Sequence, residues 1–117
     1  MTPTTGTTST QRIALIHATT AAIAPAVAGM NTVFPGAEVW NILDDKLLPD
    51  ADAHGGLAPQ LVARMSRLID LALANGAAGV LLTCSMYGSV AQATTAGVPV
   101  LSPDEACLLY TSDAADE

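Results

Sequence analysis

Four polar clusters follow directly on apolar runs: His17 with Thr19, Asp44 with Asp45, Thr83-Cys84-Ser85, and Ser102 with Asp104. Cys84 leaves an apolar run and precedes a helical stretch, where unpaired backbone N–H groups and the helix dipole favour thiolate over thiol. A thiolate there is a competent base or nucleophile, although the same position also suits a small buried hydrophobe. Thr19 and Ser85 are hydroxyl residues at strand-to-helix turns, able to hold a carboxylate together with backbone N–H groups or simply to cap a helix. His17 has acid–base capacity, or is a histidine hydrogen-bonded to its surroundings. Asp44 and Asp45 orient a ligand or a partner side chain, or stand as a solvated acidic turn. His54 lies in a Gly-rich loop without a second ligand at useful spacing, so no metal site is expected. Neither G-x-G-x-x-G after a strand nor G-x-x-x-x-G-K-[ST] occurs, so dinucleotides and nucleoside triphosphates lack their usual cradle, and no cofactor is expected.

The elements that must position these groups follow from periodicity. Arg12-Ile-Ala-Leu-Ile-His17 is nearly continuous in apolar character, as in a strand covered on both faces. Residues 24–31 form a helix with Pro25 in its first turn. Residues 37–43 carry β-branched and aromatic side chains and break into Asp44-Asp45, predicting a second strand. The stretch from there to Gly56 reads as a loop. Between Pro59 and Asn75 the apolar residues Leu61, Val62, Met65, Leu68, Ile69, Ala72 and Leu73 recur at helical spacing, and Asn75-Gly76 closes that helix. Residues 78–83 are then a third strand, 86–95 a third helix and 98–101 a short fourth strand. This βαβαβαβ order implies a parallel sheet with helices on both faces, whose ligands gather at the carboxyl ends of the strands.

The chain has 117 residues, half of them hydrophobic, which suits one domain with a real core. Its formal charge of −7, with Arg12, Lys46, Arg64 and Arg67 scattered, excludes a phosphate-tracking basic stripe and makes nucleic acid an unexpected partner. No apolar run reaches the ~20 residues of a membrane span, and residues 1–11 are a Thr-rich, disordered leader without a signal-peptide pattern. A soluble, cytoplasmic protein is expected, with Cys84 and Cys107 both free thiols.

Ile16-His17-Ala18-Thr19 and Leu82-Thr83-Cys84-Ser85 resemble the corresponding turns of the aspartate/glutamate/hydantoin racemase superfamily. The likeness continues through Val39-Trp-Asn-Ile-Leu-Asp-Asp45, Gly55-Gly56, Arg64-Met65, Gly76-Ala77 and Pro99-Val-Leu101 into Pro103-Asp-Glu-Ala106. It implies a three-layer α/β/α domain, flavodoxin-like with a four-stranded parallel sheet, spanning residues 12–106 as one lobe of a two-lobed enzyme. In such enzymes a cysteine from each lobe faces one side of the substrate's α-carbon; one thiolate removes the proton and the other thiol returns it, without pyridoxal phosphate. The resemblance implies Cys84 as the catalytic residue here, with Thr19, Ser85, Thr83 and Asp44 around a small carboxylate substrate. Sister activities include hydantoin racemisation, maleate isomerisation and arylmalonate decarboxylation, the last using a cysteine of the other half.

The expectation is therefore a fragment of a cofactor-independent amino-acid racemase or epimerase whose second half, with its own cysteine turn, is missing. A homodimer of the full-length parent is left open. Residues 107–117 match nothing in that family and resemble translated sequencing-adapter sequence, so they are expected to add nothing to stability and Cys107 is not taken as the second thiol. The alternative is a non-catalytic flavodoxin-like ligand-binding or assembly domain in which Cys84 is a buried structural residue.

Overall fold

Strand β1, Arg12–His17, is fully buried over its last four residues, and a strand so enclosed needs neighbours on both edges and cover on both faces. The computed structural model, which describes residues 11–103, supplies them. Strand β2 (Glu38–Leu43) pairs in parallel along one edge of β1, and β3 (Ala77–Leu82) along the other. The short β4 (Val100–Leu101) lies outside β3, giving a four-stranded parallel sheet of order β2-β1-β3-β4. Ile16 sits level with both Ile42 and Leu82, so the three longer strands end together. Gln11, placed in the leader by sequence, already accepts the Glu38 N–H at 2.8 Å.

Among the described residues the strands are joined by four helices: α1 (Ile23–Val33), α2 (Leu47–His54), α3 (Pro59–Ala74) and α4 (Gly88–Ala93). Helix α3 buries Leu61, Met65, Ile69 and Ala72, a stripe at intervals of three and four that faces one way on a helix. Pro59 opens it, where a missing N–H costs nothing, and Gly76 ends its exit turn at φ +87°, a conformation that side chains resist. The stripe meets Ala14, Ile16, Val80 and Leu82 from the sheet and Leu47, Ala51 and Tyr87 from the flanking helices in one apolar cluster.

On the other face Leu15 and His17 are also buried. Helix α1 uses mostly small side chains and buries none of them completely. An apolar cleft of about 350 Å³ remains beside it, lined by Ile13, Met30, Phe34, Gly79, Leu81 and Leu101.

Two elements depart from the sequence reading. The stretch read as a loop up to Gly56 contains α2: Leu47 and Ala51, one turn apart, are both anchored in the core, and Pro49 sits within the first turn where its missing N–H is harmless. The helix expected over 86–95 is shorter, a 3-10 turn at Ser85–Tyr87 running into α4 and ending at Ala93. Residues 1–10 and 104–117 lie outside the described residues, and with them the readings of most of the leader, of Asp104, and of Cys107 and the tail. No helix among the described residues is long and apolar enough to cross a membrane.

Candidate functional site

Because the strands are parallel and end level, the residues leaving them meet at one end of the sheet. Backbone bonds tie those exits together: Thr83 N–H donates to Ile16 O at 3.0 Å, and Asp44 N–H to His17 O at 3.1 Å. Thr19, Asp44, Thr83, Cys84, Ser85 and Ser102 therefore share the carboxyl end, where loops and helix starts leave room for a ligand.

Cys84 is a free thiol, half-buried, on extended backbone (φ −112°, ψ 118°) at the head of the Ser85–Tyr87 turn. Tyr87 N–H donates to Cys84 O at 3.2 Å and closes that turn. The Cys84 side chain packs against the edge of the apolar cluster, while Ser85 is exposed. The helix behind it is a 3-10 turn followed by six residues, so fewer peptide dipoles align toward Cys84 than the longer helix expected from sequence would have supplied. Tyr87 beneath is fully buried and donates its hydroxyl to Leu47 O at 2.7 Å. Burial pushes its phenol up, and the electrostatic effect of the neighbouring Cys84 adds to this.

Asp44 is held in place from several sides. Arg64 Nε and Nη2 donate to its two carboxylate oxygens at 2.7 and 2.6 Å, and the Lys46 N–H reaches Oδ1 at 3.1 Å. The same guanidinium donates through Nη1 to Asp50 at 2.7 Å. The Arg64 hydrogen bonds hold the Asp44 carboxyl below its ordinary value against the opposing effect of burial. Both Asp44 oxygens are thus engaged in fixing the β2–α2 connection to α3, so of the readings the sequence left open for Asp44 the structure shows it holding a partner side chain, that of Arg64.

Thr19 has extended backbone (φ −140°, ψ 152°) and its hydroxyl makes no capping bond to the turn that follows. It lines a cleft of about 420 Å³ with Thr20, Asp45, Leu48 and Asp52. Thr83 lines a different one of about 570 Å³, under the start of α1 with Ala22, Pro25 and Ala26. The expected site residues thus share a sheet end while Thr19 and Thr83 open onto separate clefts. Among the described residues no three His, Cys, Asp or Glu are grouped to hold a metal ion.

Two residues absent from the sequence-derived polar clusters reach their members side chain to side chain: Arg64, on Asp44, and Asn41, on His17. In the sequence Arg64 stands among the scattered bases and in the Arg64-Met65 stretch of the resemblance, with no site role. Asn41 falls within the 39–45 stretch of the resemblance, without a role. None of the protein-family models, curated proteins or solved structures compared with this chain matches it.

Proposed function

We propose that the chain is one lobe of a cofactor-independent racemase or epimerase acting on an amino acid or related small carboxylate, with Cys84 as the thiol that exchanges the α-proton. The observation that carries this reading is a half-buried free cysteine in a Thr-Cys-Ser turn at the carboxyl end of β3, on the same sheet end as the uncapped Thr19. In this reading the sheet and its helices form a three-layer, flavodoxin-like lobe, and a second lobe supplies the acid for the opposite face of the carbon. The α-proton beside a carboxylate is weakly acidic, so hydroxyls and backbone N–H groups must stabilise an enolate-like intermediate. Thr19, Ser85 and the N–H groups after Cys84 would serve that purpose, with Asp44 and Thr83 supporting the substrate loops.

Proton NMR in D2O beside polarimetry, on both enantiomers of aspartate and glutamate, tests this. This chain is expected to exchange the α-proton with retention of configuration and to invert nothing, since inversion needs a donor on the far face. A longer parent carrying the second lobe is expected to racemise and to lose that activity on Cys84→Ala. Unchanged activity in that variant removes Cys84 from the chemistry.

The packing of Cys84 against the apolar cluster favours a second reading, a non-catalytic flavodoxin-like ligand-binding or assembly domain with a structural cysteine. Iodoacetamide separates the two: a site thiol is alkylated in the folded chain, a structural one only on unfolding.

A further inference from the structure

His17 is completely buried at the end of β1, on the sheet face under α1, and both of its ring nitrogens are in contact with side chains of neighbouring strands. Nδ1 lies 2.8 Å from Thr83 Oγ1, and Nε2 lies 2.8 Å from Asn41 Oδ1. The Thr83 hydroxyl also lies 3.2 Å from Ile16 O. Either neutral tautomer completes both ring contacts: with Nε2–H donating to Asn41 Oδ1, Nδ1 accepts the Thr83 hydroxyl proton; with Nδ1–H donating to Thr83, the Asn41 amide turned end for end donates to Nε2. In both, the ring links Asn41 to Thr83.

We infer that His17 is a positioning residue: held between Asn41 and Thr83 by a hydrogen bond at each ring nitrogen, it pins Thr83 and thereby fixes the turn that presents Cys84. The chemistry supports this at each link. Thr83 is bonded to β1 through its N–H, to Ile16 O, and through its hydroxyl, which lies within reach of Ile16 O and of the His17 ring. The next residue is Cys84, whose carbonyl closes the following turn onto Tyr87. An imidazole is rigid and the direction of its Nδ1 bond is set by the ring, so a second bond at Nε2 fixes its rotation as a metal-bound histidine is fixed by an outer partner. The inference rests on the reading of Cys84 as the reacting group only for its consequence in catalysis; the network itself is tested separately.

The test uses the whole chain and amide hydrogen exchange read by NMR. Losing one link of a buried network is expected to raise exchange of the Thr83 and Tyr87 amides about three- to tenfold in His17→Gln, Asn41→Ala and Thr83→Val. Thr83→Ser, which keeps the hydroxyl, is expected to hold the parent rates, and amides in the middle of α3 are expected to stay unchanged in all four. Asn41 is exposed, so its variant keeps the experiment decisive if His17→Gln does not fold. Equal Thr83 and Tyr87 exchange in parent and variants overturns the inference. If Cys84→Ala leaves α-proton exchange intact while the amide results hold, the functional reading fails and the positioning network stands.

Discussion

Arg64→Met removes the guanidinium while keeping much of the stem that packs along α3. Three charge-assisted bonds disappear, two to Asp44 and one to Asp50. Their surroundings differ: the Asp44 side chain is 20% exposed and that of Asp50 44%. The Asp50 contact is therefore discounted to about 0–0.5 kcal/mol, as for a solvated surface pair. The bidentate Asp44 pair, mostly out of water, contributes about 1–1.5 kcal/mol per bond. The variant is expected to lose about 2–3 kcal/mol at neutral pH, a fall of about 10–20 °C in thermal midpoint for a domain of this size. Acid gives a sharper check. The Arg64 hydrogen bonds hold the Asp44 carboxyl below its ordinary value, so this stability is present above an unfolded-state value of about 3.9 and is lost as pH falls through the folded one. Urea midpoints of parent and variant should differ fully at pH 7 and converge on acidification below about pH 4. A neutral-pH difference under about 0.5 kcal/mol, or one that persists undiminished in acid, refutes the reasoning.

Tyr87→Phe leaves the Leu47 carbonyl without its buried donor and is expected to cost about 1–2 kcal/mol in chemical unfolding, with the fold retained. Gly76→Ala meets no neighbouring atom, so its cost, about 1 kcal/mol in the same assay, comes only from the left-handed backbone; a stabilised variant would show that the turn relaxes. Cys84→Ala, already set out as the functional test, is expected to change stability by less than about 1 kcal/mol because the residue is only half-buried.

Sequence patterning revealed the parallel sheet because β1 and β3 are apolar on both faces and α3 carries an uninterrupted buried stripe. It failed at α2, where Pro49 and the acids around it resemble loop chemistry and only two side chains reach the core. The shared location of Thr19, Asp44 and Cys84 was legible because strand ends in a parallel sheet must coincide. The occupation of Asp44 by Arg64 was not, since the guanidinium arrives from a helix twenty residues later and no local pattern marks that contact. The pairing of His17 with Asn41 and Thr83 was equally hidden, because it depends on register across three strands rather than on spacing along one.

The placement of β1 inside the sheet has a consequence for how the chain acquires its structure. Of the four described strands β1 is made first, and it is flanked by strands made later, with β3 separated from it by three α-helices and β2. Until β3 arrives, one edge of this largely buried strand has no backbone partner, and closing that long loop carries an entropic cost that grows only by about 0.6 kcal/mol for each doubling of its length. A β1–β2 unit with α1 can form early, but its open edge is a template for pairing with other chains. Synthesis of α3 and β3 is therefore the step at which the nascent chain passes from an aggregation-prone species to a protected one, and slowing translation within α3 should raise the insoluble fraction.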